Sequence, residues 1–316
     1  MNKFSKMKMS LLSLGDLPIY IAGHVKPDQD SVCSCLALAE WLKLYGKKVF
    51  VLLNSNDKSI IDWQGDSEFL TSEIFHSDYN FVALDLNEMK RLGDYYDVFK
   101  NANHTINIDH HQGNLFEADE TLSIPGISST CEIIYEIIKP SKGDNLDKTI
   151  CEQLYSGMMN DTNCFSRRLS KNTLKIAQKL INAGIDYVGI IQKTFAGRTL
   201  YQFKALAKVV DELKCEDGLY YAVIDKSREE FCQLSHNQIV KQIAEDLRKI
   251  EGIDIFLVLI KNGDTIVAKV MSNASQNADK LAAVFGGGGH KKEAGFTIKN
   301  IDVEEIILKA KEFLNK

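Results

Sequence analysis

Thr105-Ile106-Asn107-Ile108-Asp109-His110-His111 is a short β-branched run that stops abruptly in one acid and two imidazoles. The same grammar occurs twice more. Phe81-Val82-Ala83-Leu84 closes in Asp85, and the apolar stretch Pro18–Ala22 leads into His24-Val25-Lys26-Pro27-Asp28-Gln29-Asp30-Ser31. Apolar runs of this length bounded by polar residues read as buried strands. In an open parallel sheet, ligands bind beyond the carboxyl ends of the strands. Three strands that all finish in carboxylate or imidazole therefore predict a single crevice lined by Asp and His.

Working outward, strands are expected over Pro18–Ala22, Lys48–Leu53, Asn80–Leu84 and Thr105–Ile108. Amphipathic helices are expected over Ser31–Tyr45, from about Ser128-Ser129-Thr130, and over Lys148–Met159 and Thr173–Ala183. Gly46 suits a left-handed helix end, and the hydroxyls of 128–130 suit a helix start. Strands alternating with helices imply a parallel sheet covered on both faces. After a charged helical stretch the pattern changes. Strands Leu219–Ile224, Asp254–Ile260, Thr265–Val270 and Gly295–Ile298 mix with helices His236–Ile250, Ala278–Phe285 and Val303–Leu314, and Asn262-Gly263 signals a hairpin. The fold class expected is thus α/β: a parallel-sheet N-terminal domain (1–186), a helical connection (187–215) and a smaller α+β C-terminal domain (216–316).

Composition narrows the function. A chain of 316 residues exceeds the roughly 100–200 of one domain. A formal charge of −5 argues against a protein that coats nucleic acid, because a long duplex calls for a broad basic face. The seven cysteines (Cys33, Cys35, Cys131, Cys151, Cys164, Cys215, Cys232) show no CxxC spacing and read as reduced thiols. No apolar stretch approaches the ~18 residues of a membrane span, and Met1–Gly15 lacks a signal-peptide core. A cytoplasmic protein is expected.

The chemistry follows from the donor types. Imidazole combined with hard carboxylates suits Mn, Zn, Fe or Co better than Ca. Pro27 holds His24, Asp28 and Asp30 off any regular helix, so they can splay toward different partners. A helix-capping turn accounts for one of the two acids there, not for both plus His24. Asp85 is a carboxylate at the mouth of a strongly apolar strand. His110 and His111, as neighbours at a strand end, point in different directions. Asp161 ends an apolar helix, where the dipole disfavours negative charge and a cation relieves the cost.

In order and type, these residues resemble the four motifs of the DHH family of phosphoesterases. The C-terminal Gly286-Gly287-Gly288-Gly289-His290, followed by Ala294-Gly295, resembles the glycine-rich segment of the DHH-associated domain. The resemblance implies two divalent ions, usually Mn2+. It implies that His24 and Asp28 hold one, that Asp30, His110 and Asp161 hold the other, and that Asp85 bridges them. It also implies that Asp109 orients a histidine and that His111 faces the scissile phosphate. The glycines, having no Cβ, let backbone approach a phosphate, with His290 assisting. Two departures stand out. Met271-Ser272 occupies the place where relatives carry Arg-Ser, with Arg167, Arg168 and Arg198 as candidate replacements, and the usual Asp-Thr-Gly reads Asp161-Thr162-Asn163.

The expected activity is therefore hydrolysis of very short nucleic acids: nanoRNA, pApA or related dinucleotides, and 3′-phosphoadenosine 5′-phosphate. A cyclic dinucleotide phosphodiesterase is the alternative. A manganese pyrophosphatase lacks the glycine-rich segment, and a non-catalytic nucleotide sensor rests only on the missing arginine. Expected partners are single-stranded oligonucleotides or dinucleotides, with no membrane and no long duplex. A homodimer is compatible with this reading.

Overall fold

The computed structural model describes residues 2–25, 27–53, 70–140, 146–167, 169–196, 199–234, 243–247, 249–273 and 277–314. The chain forms two compact units, Met1–Gly197 and Arg198–Lys316.

The first unit is built on six parallel strands: β1 (Ile19–Ala22), β2 (Val49–Leu52), β3 (Leu70–Thr71), β4 (Asn80–Leu84), β5 (His104–Asp109) and β6 (Glu120–Ser123). Their spatial order is β3-β2-β1-β4-β5-β6, all neighbours parallel. Strands β1 and β4 are buried at every residue, as expected of central strands covered on both faces. The helices are α1 (Lys3–Leu12), α2 (Gln29–Lys43), α3 (Tyr96–Lys100), α4 (Thr130–Ile138), α5 (Lys148–Asp161), α6 (Thr173–Asn182) and α7 (Tyr187–Ile191).

Alternation along the strands splits the core in two. Ile19, Ile21, Val82, Leu84, Ile106 and Ile108 pack with α2, α4 and α5 on one face. Tyr20, Ala22, Phe81 and Ala83 pack on the other, with Phe99 and Phe116. Helix α2 is buried almost all round because it is sandwiched, and Asp28 caps its start by accepting from Ser31 N. The chain runs outward from β1 to β3 and then returns to place β4 beside β1. That reversal opens a crevice at the carboxyl ends of β1 and β4, where such sheets take their ligands.

The second unit carries helices α8 (Leu200–Asp211), α9 (Ala244–Leu247), α10 (Ala278–Val284) and α11 (Val303–Leu314). Its strands are β7 (Lys214–Glu216), β8 (Leu219–Asp225), β9 (Ile255–Asn262), β10 (Thr265–Ser272), β11 (Gly288–His290) and β12 (Glu293–Lys299). The sheet order is β11-β12-β10-β9-β8-β7, antiparallel except for β8 beside β9. Gly263, at φ +60°, turns the β9–β10 hairpin. Of the helix expected over 236–250, residues 236–242 and 248 lie outside the described residues, and α9 is what is described.

Residues 187–215 divide between the two cores: Ile190 of α7 is buried in the first, Ala205 and Val209 of α8 in the second. Among the described residues, no helix is long and apolar enough to cross a membrane.

Candidate metal centre

Six side chains from five elements meet at the carboxyl end of the first sheet. His24 follows β1, Asp28 caps α2 and Asp30 lies in its first turn; Asp85 follows β4, His110 follows β5, and Asp161 ends α5. His24 Nε2 lies 3.6 Å from Asp85 Oδ2 and 3.9 Å from Asp28 Oδ1. His110 Nε2 lies 3.4 Å from Asp85 Oδ1 and 3.1 Å from Asp161 Oδ2. Among the described residues, donor atoms close enough to share an ion form three groups: His24–Asp28–Asp85, Asp30–His110–Asp161 and Asp85–His110–His111. Asp85 and His110 each belong to two of them.

Both histidines are prepared for a cation. His24 Nδ1 is 2.8 Å from the Val25 carbonyl and His110 Nδ1 is 3.3 Å from the Ile127 carbonyl. A carbonyl only accepts, so each Nδ1 carries the proton and each Nε2 is left with its lone pair toward the carboxylates. Lone pair facing lone pair is repulsive unless a proton or a metal sits between. Four carboxylates gather around two imidazoles here, and two divalent ions would neutralise them. The donor set therefore fits a pair of hard-to-borderline divalent metals.

The electrostatics record the same deficit of positive charge. Burial, followed by the charges of Asp161 and Asp85, pushes the Asp30 carboxyl well above its usual range. Burial also raises Asp161, against the opposing pull of His110. Asp85 is held low in spite of its burial by His24, His110 and His111. Burial draws His110 down, but Asp161, Asp85 and Asp30 outweigh it and raise the imidazole to about 10. For His24, burial is likewise outweighed, by Asp85 and Asp28, and the net shift is upward.

His111 Nδ1 lies 2.7 Å from Asp109 Oδ1, and Asn114 donates to Asp109 Oδ2 at 2.8 Å. The acid thus fixes the second histidine of the pair, not the first. Asp85 takes φ +65°, a conformation uncommon outside glycine, which turns its carboxylate into the crevice. Gly157 in α5 has no room for a Cβ, which would lie 2.2 Å from Cys131 Sγ and 2.9 Å from Asp30 Oδ1.

Several contributors went unread in the sequence. The Ser128-Ser129-Thr130 hydroxyls read there only as a helix start. Ser129 does cap α4, but Thr130 Oγ1 donates to Asp85 Oδ1 at 2.8 Å. Asn114, buried Glu132 and the Arg91 backbone, whose carbonyl takes Val25 N at 2.8 Å, carried no signal beyond ordinary loop or helix residues.

In the second unit the latter part of the glycine run, Gly288–His290, is strand β11. Gly286 ends α10 at φ +74°. At Gly287 and Gly289 a Cβ would meet β12 backbone at 2.3 Å and 2.6 Å, so the fold itself needs those two. Gly288 has open space instead. His290 closes β11. Met271 is fully buried in an apolar core, so no cation stands at that position. Arg167 is exposed, and Arg168 and Arg198 lie outside the described residues.

Residues 18–158 match the DHH family, N-terminal domain, and residues 230–316 match the DHHA1 domain. The chain carries a DHH family N-terminal domain and a DHHA1 domain. It is accordingly an enzyme, a hydrolase of phosphoester bonds.

This DHH-domain protein is 25% identical over 318 residues to the bifunctional oligoribonuclease and PAP phosphatase NrnA of Thermus thermophilus, covering 96% of the chain and 91% of that protein. It is 24% identical over 306 residues to the cyclic-di-AMP phosphodiesterase PdeA of Listeria monocytogenes, covering 91% of the chain and 46% of that protein. The solved structure of an exopolyphosphatase-related protein from Bacteroides fragilis shares the fold, with a TM-score of 0.84 at 22% identity and full coverage of both chains.

Proposed function

We propose that the chain is a two-metal phosphodiesterase, using Mn2+, that hydrolyses very short oligonucleotides such as nanoRNA and pApA, and 3′-phosphoadenosine 5′-phosphate. The observation that carries this reading is the pair of donor groups, His24–Asp28–Asp85 and Asp30–His110–Asp161, packed into one crevice at the sheet's reversal point. The similarity to NrnA along nearly the whole of both chains supports the small-nucleotide substrate.

In this reading His24 and Asp28 hold one ion, Asp30, His110 and Asp161 hold the other, and Asp85 serves both. When bound, two divalent ions supply a hydroxide at neutral pH and neutralise the attacked phosphoryl oxygens. The protein's own residues do the rest. Backbone carbonyls keep Nδ1 of His24 and His110 protonated, so neither ring turns its lone pair away. Asp109 accepts a hydrogen bond from His111 Nδ1 and fixes the ring, so that Nε2 faces the phosphate and donates to it when the ring carries its second proton. In the second unit Gly288 leaves its backbone bare, with space for a phosphate that is bound but not cut.

The deciding experiment is turnover with Mn2+ across pyrophosphate, cyclic di-AMP, pApA, an RNA pentamer and 3′-phosphoadenosine 5′-phosphate. Fast cleavage of pApA or the pentamer, with pyrophosphate untouched, is the expected result. Preference for cyclic di-AMP would move the assignment toward PdeA-like activity. Pyrophosphate hydrolysis alone, or silence on all five, would overturn it.

A further inference from the structure

One five-residue segment, Ile127–Cys131 at the start of α4, touches three of the candidate ligands, which come from three different elements. The Ile127 carbonyl accepts from His110 Nδ1 at 3.3 Å. Thr130 N and Cys131 N donate to the two oxygens of Asp30, at 2.6 Å and 3.0 Å. Thr130 Oγ1 donates to Asp85 Oδ1 at 2.8 Å. Thr130, Cys131, Asp30 and Asp85 are all buried.

The segment is itself clamped. Glu132, 1% exposed, accepts from the hydroxyls of Ser170 and Thr173, and Ser128 N points to it at 3.4 Å. Ser128 Oγ and Thr173 Oγ1 lie 2.7 Å apart. A carboxylate buried this deeply would be costly unless satisfied, and here it joins α4 to the start of α6. The helix start is therefore a rigid template, not a passive cap.

Within that template the contacts to His110 and to the Asp30 carboxylate use backbone atoms, which no side-chain exchange short of proline removes. Of the three ligand side chains, Asp85 is met by a side chain of the segment, whereas Cys131 Sγ reaches the Asp30 backbone carbonyl at 3.7 Å. Asp85 has one oxygen toward His24 and the other toward His110. A free carboxylate could rotate about Cβ–Cγ and give up one of those directions. The Thr130 hydroxyl, fixed at one oxygen, blocks that rotation. Resting on the two-ion reading above, we propose that Thr130 is a positioning residue that sets the carboxylate plane of Asp85, so that one acid addresses both ion positions.

The test is Mn2+ binding by calorimetry on wild type, Thr130→Val and Thr130→Ser, with thermal unfolding of each metal-free protein alongside. Valine keeps the shape and removes the donor; serine keeps the donor. Outer partners of metal ligands are typically worth about 10–100-fold in affinity. The expected result is two Mn2+ per wild-type chain, a loss of that order for at least one of them in Thr130→Val, and recovery in Thr130→Ser. Should the valine variant not fold, Thr130→Ala takes its place in the same comparison.

A purely structural role would lower the metal-free melting temperature and leave Mn2+ affinity unmoved. That outcome overturns the proposal while sparing the metal centre, as does a serine variant as weak as valine. A wild-type protein that takes up no Mn2+ overturns both.

Discussion

Gly157 offers a demanding test of how the centre is built, because two well-known effects oppose each other there. An alanine inside an ordinary exposed helix is about 1 kcal/mol better than glycine. At 157 the added Cβ would sit 2.2 Å from Cys131 Sγ, 2.9 Å from Asp30 Oδ1 and 3.2 Å from Asp30 Cα. Normal carbon contacts lie at roughly 3.5–4.0 Å. Neither neighbour can retreat easily. Cys131 and Asp30 are both fully buried, and the Asp30 oxygens are held by the amides of Thr130 and Cys131. Overpacking costs about 1–3 kcal/mol, and three contacts, one of them to backbone, place this site near 3 kcal/mol.

Subtracting the helix gain leaves Gly157→Ala about 2 kcal/mol less stable than wild type. In a unit of the size of Met1–Gly197 that is a fall of about 4–8 °C in melting temperature. The displaced Asp30 should also weaken Mn2+ binding. Metal-free and Mn2+-loaded protein would be compared by scanning calorimetry and by metal titration. A metal-free variant that melts at or above wild type would refute the packing argument, since helix propensity would then have won.

Other tests follow from the same geometry. His110 is raised to about 10 from an ordinary 6.5; a raised imidazole contributes stability that is full below pH ~6.5 and is lost as pH climbs toward 10. Asp30, also raised, acts in the same direction. Metal-free protein should therefore weaken across that window, and Mn2+ binding at pH 8 should release protons, read by calorimetry in buffers of different ionisation enthalpy; no release would refute it. Asp109→Asn should lower kcat by about 10²–10⁴ while Mn2+ affinity holds, whereas lost affinity would make Asp109 part of the metal site. Gly289→Ala, at φ +147° and with a Cβ 2.6 Å from Ala294 Cα, should destabilise the second unit in calorimetry. Gly288→Ala should leave stability within about 0.5 kcal/mol and raise KM for nucleotides; an unchanged KM would remove the phosphate role.

Much of this was legible from residue types. Strand Phe81–Leu84 announced itself because buried parallel strands are apolar without interruption, and Ile106–Ile108 did so through its β-branched residues in spite of the buried Asn107 between them. Edge strands β3 and β6 did not, being two and four residues long and partly polar. The acids and imidazoles at strand ends were legible because few structural roles call for that combination. The template at 127–132 was not. Its contacts to Asp30 and His110 run through backbone atoms, which any sequence carries, and Thr130 looked like one more capping hydroxyl. Glycines 287 and 289 illustrate the converse: a pattern that reads as ligand binding is required there by close strand packing.

Asp30 and Asp161 share one donor group, yet helix ends treat them oppositely. Asp30 accepts two amides at the start of α4, where the dipole favours negative charge. Asp161 is the last residue of α5, where the dipole opposes it, and its close partner in the group is His110 at 3.1 Å. One acid is thus anchored by peptide, while the other depends on whichever cation occupies the crevice. In metal-free protein the His110 proton takes that part, which explains why the imidazole holds it so far above the ordinary range. A divalent ion held by these residues would take the place of that proton, with Nε2 and Asp161 both turned toward it. The unfavourable helix end is then a reason for the site to bind metal, and the favourable one a reason for Asp30 to stay in place while it does.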